Sequence, residues 1–178
     1  MKNKPTQKTL NISSNEELKV LRTVVDIASS ELDLTLTLQL IVKIVNEMTK
    51  ADSVFIYLFD DKKEYLVLMA SKTAHQKELG KVHLEIGEGI TGWVARESRT
   101  VAIKELAYKD PRFKSFDVLP EDRYEAFLSV PIIFKGKAIG VINVQHKREQ
   151  DYSQTTVNLI EMIAKQVGGV IEHARLFE

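Results

Sequence analysis

FLSVPIIFKGKAIGVINVQ, residues 127–145 of this 178-residue chain, is typical of two β-strands joined by a tight turn. The runs 127–134 and 138–145 are rich in β-branched and apolar residues, and Lys135-Gly136-Lys137 between them has the composition of a hairpin turn. Both runs are far shorter than the roughly 20 apolar residues that cross a bilayer. The stretch therefore predicts an antiparallel hairpin in a folded domain.

Further strands are predicted upstream of this hairpin. The run SVFIYLF, residues 53–59, is apolar on both faces, which is typical of a strand that is covered on both sides. A charged turn at 60–63 leads to a partner strand at 64–70, and shorter strands are predicted at 81–86 and 101–103.

Four stretches follow a helical period instead. Ser13 or Ser14 can cap a first helix, and Ser153 can cap a final helix that runs through residue 178. Residues 32–40 alternate as a strand would, but apolar residues continue at a spacing of four as far as 48. This pattern predicts a second helix of about 14 residues, capped by Asp33 or Thr35. A short helix is predicted at 91–97.

The order of these elements predicts an α+β fold, with a central antiparallel sheet of about five to six strands and helices on both sides. Hairpins dominate the pattern, and no internal repeat is present. We expect residues 1–12 to be a flexible leader and residues 13–178 to be one domain that includes the terminal helices.

Composition excludes several classes of function. The chain has 25 basic and 25 acidic residues, which argues against a general nucleic-acid binder and against a basic membrane anchor. It has no cysteine, so thiol nucleophiles and zinc–thiolate sites are excluded, and its four histidines lack metal-ligand spacing. No export signal is visible at residues 1–8. We expect a cytoplasmic protein without a metal or cofactor.

The segment 87–92, GEGITG, matches the glycine pattern G-x-G-x-x-G of dinucleotide-binding folds. That function requires a strand–helix–strand unit with parallel strands, whereas the strands near this segment are predicted to form hairpins. A tight corner between a strand and a short helix is the favoured interpretation. No other catalytic motif is present, so we expect no enzyme activity from the domain itself.

The loop around residues 107–116, AYKDPRFKSF, has two interpretations. Its aromatic residues can line a small cavity in which Asp110 or Arg112 holds a polar ligand. Alternatively, the same aromatic residues only pin a long loop to the sheet.

Two helices carry apolar stripes. In the final helix the stripe repeats at alternating steps of three and four residues, and a similar seam runs along the first helix. One stripe can cover the sheet while another meets a partner helix, or both belong to one wide core face.

Taken together, five pieces in order resemble the GAF domain family over about residues 20–175. They are the strand SVFIYLFDD, the corner LEIGEGITGWVARES with RTVAI, the DPRF element at 110–113, the hairpin LSVPIIFKGKAIGVINVQHK, and the closing IEHARLFE. The resemblance implies a sheet with helices on both sides and the sensing of a small molecule rather than catalysis.

The resemblance also implies site residues. The ligand-binding positions carried over from the family are Ile86, Ile90, Thr91, Tyr108, Arg112, Phe113, Phe116, Phe127 and Ser129. Terminal helices of the family form dimer contacts, which here implies Leu21, Val25, Ala28, Ile160, Ile163, Val167, Val170 and Ala174.

Two departures from the sequence patterns of particular family members narrow the choice of ligand. Cyclic-nucleotide-binding members carry an acidic pair where this chain has Thr156-Val157, which disfavours a cyclic nucleotide. The absence of cysteine disfavours methionine-sulfoxide reduction and a covalently attached bilin. The prediction is a homodimeric sensory domain that signals through its terminal helices. The alternative is a dimerisation module without a ligand, and an enzyme on the same scaffold is less favoured.

Overall fold

The computed structural model describes residues 13–28, 33–72, 77–114 and 123–175. The leader predicted at 1–12 lies outside the described residues. The described elements follow the predicted order. They are α1 (Ser14–Ala28), α2 (Leu34–Thr49), β1 (Ser53–Phe59), β2 (Tyr65–Ser71), β3 (His83–Glu85), α3 (Gly89–Glu97), β4 (Val101–Ile103), β5 (Ala126–Phe134), β6 (Lys137–His146) and α4 (Gln154–Arg175).

The six described strands form one antiparallel sheet in the order β3-β2-β1-β6-β5-β4. The predicted hairpin of β5 and β6 is present, with β6 beside β1 at the centre of the sheet and β5 between β6 and the edge strand β4. β1 is buried along its whole length. The predicted α+β fold is confirmed.

Helices cover both faces of the sheet. On one face α1, α2 and α4 build the larger core, in which Val24, Leu38 and Ile163 are almost completely buried. On the other face α3 packs through Ile90 and Val94 and helps to build a second, smaller core. Within the described residues, no helix is both long enough and apolar enough to cross a membrane.

Local chemistry sets the helix starts as predicted. The backbone N–H of Leu36 donates to the Asp33 carboxylate at 2.9 Å, and that of Thr156 donates to the Ser153 hydroxyl at 3.1 Å. α2 has 16 residues, so the helical period, rather than the alternation at 32–40, is the correct interpretation.

The apolar stripe of α4 faces the sheet, which corrects part of the predicted dimer interface. Ile160, Ile163 and Val167 are at most 1% exposed within this single chain, so they are wrong as contacts to a partner. Their burial follows from the packing of α4 across β5. Of the other predicted contacts, the partly exposed side chains are Leu21, Val25, Val170 and Ala174, and the side chain of Ala28 lies outside the described residues.

Candidate functional site

A small cavity lies between the sheet and α3. Its volume is about 30 Å³, which is room for roughly two water molecules. The side chains of β1, β5 and β6 form its floor, the first turn of α3 forms one wall, and residues 113–114 contribute to its roof. The lining residues are Phe55, Tyr57, Gly89, Ile90, Thr91, Phe113, Lys114, Tyr124, Phe127, Asn143 and Gln145.

A chain of hydrogen bonds crosses the floor of the cavity. The Ser129 hydroxyl donates to Asn143 Oδ1 at 2.7 Å, and Asn143 Nδ2 donates to Thr91 Oγ1 at 2.7 Å. Ser129 and Asn143 are directly paired neighbours on β5 and β6, and all three residues are buried. These bonds tie β5, β6 and α3 together where the cavity lies.

Gln145 lies two residues further along β6, on the same face of the sheet. Its side chain is only 6% exposed, and its Oε1 accepts no hydrogen bond from any described residue. A buried polar group without a partner costs about 1–3 kcal/mol, and such groups in native proteins call for an explanation. Nearby, Tyr124 already donates its hydroxyl proton to Ser53 Oγ at 2.8 Å.

The glycine-rich segment 87–92 forms a tight corner at the start of α3. Gly87 has φ +90°, and its N–H donates to the carbonyl oxygen of Gly92 at 2.9 Å. A Cβ on Gly92 would lie 2.5 Å from the carbonyl oxygen of Glu85. Because β3 before the corner pairs antiparallel with β2, this is no strand–helix–strand unit with parallel strands, and the favoured interpretation is confirmed.

Residues 110–114 are held over the cavity by contacts with each other and with α3. Arg112 bonds to Asp110 through two nitrogens, at 2.9 and 2.8 Å, and its guanidinium lies 4.7 Å from the ring centre of Trp93. These bonds lower the pKa of the Asp110 carboxyl and raise that of Arg112. The charge of Arg112 therefore already has a carboxylate partner.

The second cation of this segment is also paired. Lys114 forms an ion pair with the carboxylate of Glu88, the residue that precedes α3. The hydrogen bond from Lys114 lowers the pKa of Glu88, and a bond from the Glu85 backbone N–H adds to the effect. The ion pair joins the roof to the wall of the cavity.

The predicted ligand positions separate into three groups. Ile90, Thr91, Phe113 and Phe127 line the cavity, and Ser129 reaches it through Asn143. Three other positions lie away from the cavity. Ile86 is 41% exposed, and the guanidinium of Arg112 packs on the ring of Trp93. The ring of Tyr108 packs against Arg123, whose guanidinium carbon lies 4.0 Å from the ring centre. Phe116 lies outside the described residues.

Sequence reasoning missed the floor residues Phe55, Tyr57, Asn143 and Gln145. A signal was present, because Asn143 and Gln145 alternate in an otherwise apolar buried strand. The alternation places both on one face, and the β1–β6 register puts Phe55 opposite Asn143.

Comparisons with known proteins agree with this architecture. A sequence model of the GAF domain family matches residues 31–172. The GAF domain from the phosphoenolpyruvate-protein phosphotransferase of Acinetobacter is 31% identical, with a TM-score of 0.84 over 93% of this chain and 98% of that one. The corresponding domain from Coxiella burnetii is 27% identical, with a TM-score of 0.85 and the same coverage.

A full-length relative is much longer than this chain. The phosphoenolpyruvate-dependent phosphotransferase system protein of Escherichia coli K12 is 28% identical over 121 residues. The match covers 68% of this chain but 16% of that protein, so the chain spans about a sixth of the relative's length.

Proposed function

The chain belongs to the GAF domain family, and on that premise we propose that it is a cytoplasmic, non-catalytic regulatory domain. It binds a small molecule in the cavity between the sheet and α3. It passes occupancy of the cavity through its terminal helices to a partner or an output domain. The two solved relatives support a regulatory context, because each is a GAF domain from a phosphotransferase.

The observation that carries the proposal is the mixed chemistry of the cavity. Aromatic rings make up much of its lining, and the amides of Asn143 and Gln145 lie among them on the floor. Ligand sites in proteins combine an apolar lining with a few fixed polar groups in this way. The unpartnered Gln145 Oε1 gives a ligand a specific bond to make.

The sheet offers a short route from the cavity to α4. On β5, Phe127 and Ser129 face the cavity side, while the alternating residues Leu128 and Val130 belong to the core under α4. A ligand that shifts β5 would therefore shift the surface on which α4 rests. Such a ligand acts by binding one arrangement of α4 more tightly than another.

Melting temperatures test ligand binding. We would measure them against separate panels of uncharged metabolites, amino acids, nucleotides and carboxylic acids, because a ligand at 100 times its Kd stabilises the native state by about 2.7 kcal/mol. Phe127→Trp fills the cavity and should abolish the shift, whereas Phe134→Trp, on the same strand in the opposite core, should keep it. No shift with any compound, or an equal shift in both variants, would contradict the proposal.

One observation favours the alternative of a dimerisation module without a ligand. The cavity of about 30 Å³ is much smaller than the cavities of about 150 Å³ that bind benzene. Phe113 lies at the roof, so its side chain must move before a larger molecule can enter. A chain that is dimeric and shows no shift with any panel would support this alternative.

A further inference from the structure

The backbone of Gln145 is fixed from both sides. It is paired in register with Ser53 of β1 and with Phe127 of β5, and its carbonyl oxygen accepts from the backbone N–H of Asp52 at 3.0 Å. Only the side chain can adjust, and it projects from the strand at the cavity. A hydrogen-bond donor for Gln145 Oε1 must therefore approach it from the cavity.

The neighbouring side-chain amide on the same strand, by contrast, is hydrogen-bonded. Asn143 uses both ends of its amide, one towards Ser129 and one towards Thr91. Two other buried polar atoms lack a partner among the described residues, Thr37 Oγ1 and Asn46 Oδ1, but both belong to α2 and do not line the cavity. Among the residues that the structure describes, Gln145 is therefore the one whose unpartnered acceptor lies at this cavity.

The charges around the cavity are already balanced. Lys114 is the one charged residue among the described lining residues, and it is paired with Glu88. Glu88 also places a carboxylate beside the N-terminus of α3, where an anionic ligand would otherwise be favoured. An anion entering here would have to compete with Glu88 for Lys114, and a cation would be repelled by Lys114.

We propose that this cavity selects an uncharged molecule that donates an N–H or O–H hydrogen bond to Gln145 Oε1, an inference that rests on the proposed function. The body of the molecule is flat and apolar, since Phe55, Phe113 and Phe127 surround the space. Gln145 determines specificity, because a ligand without a donor leaves its amide unpaired.

Three simple aromatic probes test the inference on the full 178-residue chain. Phenol donates a hydrogen bond, fluorobenzene has nearly the same shape without a donor, and benzoate carries a negative charge. Dissociation constants would be measured by saturation-transfer NMR, in wild type and in Phe113→Ala, which enlarges the space under the roof. We expect phenol to bind about 3- to 10-fold more tightly than fluorobenzene, and benzoate to bind most weakly.

Two matched variants assign the preference to one amide. Gln145→Met keeps the length of the side chain and should bring the ratio of the two constants to about one, whereas Gln39→Met on α2 should leave it unchanged. Without any probe, Gln145→Met should melt at or above the wild-type temperature, because it removes an unpaired buried group. A lower melting temperature would show that the amide has a structural partner and would overturn the inference.

The remaining outcomes separate this inference from the proposed function. Equal binding of phenol and fluorobenzene, or tightest binding of benzoate, overturns the selection of an uncharged donor but leaves a ligand-binding cavity. Failure of all three probes to bind wild type and Phe113→Ala overturns the proposed cavity function, and this inference with it.

Discussion

The side-chain amide of Asn143, on β6, donates a hydrogen bond of 2.7 Å to the hydroxyl oxygen of Thr91, in the first turn of α3. Asn143 is 1% exposed and Thr91 is 6% exposed, so water does not compete for this bond. The bond ties α3 to the sheet beside the cavity.

Thr91→Val should destabilise the domain although the two side chains have nearly the same shape. The change removes the acceptor of Asn143 Nδ2 and leaves a buried N–H unpaired, which costs about 1–3 kcal/mol of unfolding free energy. Urea titration with linear extrapolation measures the loss.

Thr23→Val is the matched control, because the Thr23 hydroxyl bonds to the Lys19 carbonyl oxygen on the exposed surface of α1. Its effect should stay within about 0.5 kcal/mol. Similar losses of unfolding free energy in both variants would show that the buried hydrogen bond contributes no more to stability than the exposed one.

Two adjacent glycines in α4 should respond to alanine with opposite signs. A Cβ on Gly168 would lie 2.7 Å from the carbonyl oxygen of Ile133, so Gly168→Ala must push α4 away from β5 and should cost about 1–3 kcal/mol. Gly169 has nothing within 4 Å, so Gly169→Ala should gain about 1 kcal/mol from helix propensity. Thermal unfolding of the two variants checks this, and a change of the same sign in both would contradict it.

The strands and helix caps could be predicted because their signals are local. The apolar run of β1 and the capping side chains Asp33 and Ser153 act within a few residues of their own position. The predicted bounds of β1 and β4 coincide with the observed ones, and those of the other strands differ by at most two residues.

The cavity floor and the facing of α4 could not be predicted in the same way. Asn143 and Gln145 can be placed on the cavity floor only once the strand register, which sets β6 between β1 and β5, is known. A helical period defines a stripe but not what covers it, so the sequence did not reveal that Ile163 and Val167 meet the sheet. The family resemblance implies that Tyr108 contacts the ligand, yet Tyr108 packs against Arg123, because nothing in the sequence shows which way a loop turns.

His146 should make stability depend on pH. Its imidazole is buried between the Tyr152 hydroxyl, at 2.9 Å from Nδ1, and the Thr49 carbonyl oxygen, at 3.1 Å from Nε2. Burial lowers the pKa of His146, although the bond to Thr49 and the charge of Asp52 oppose the shift. The folded state therefore holds the ring neutral at pH values where the unfolded chain takes up a proton.

The sign follows from these two states. The contribution of His146 is fully present above the unfolded pKa of about 6.5, and it is lost as the pH falls from there through the folded pKa. The slope is at most about 1.4 kcal/mol per pH unit for one group. Urea titrations between about pH 5 and 8 should show a steeper fall for wild type than for His146→Gln. Identical slopes would exclude His146 as the source.

The homodimer that the family resemblance implies should depend on α1. Leu18 and Val25 lie two turns apart on the same side of this helix and are 57% and 45% exposed, so they leave an apolar strip uncovered in the single chain. Replacing both by glutamate places two charges on that strip without disturbing the core. The double variant should sediment as a monomer while its circular dichroism stays that of wild type.

Leu36→Glu provides the control for this experiment, because Leu36 is 44% exposed on α2 but lies outside the α1 strip. It adds a charge at a comparably exposed leucine and should leave the sedimenting mass unchanged if the strip is the interface. A monomeric wild type, or a dimer that survives Leu18→Glu with Val25→Glu, would rule out α1 as the contact. In the second case the partner surface would have to be sought on the exposed side of α4, around Met162.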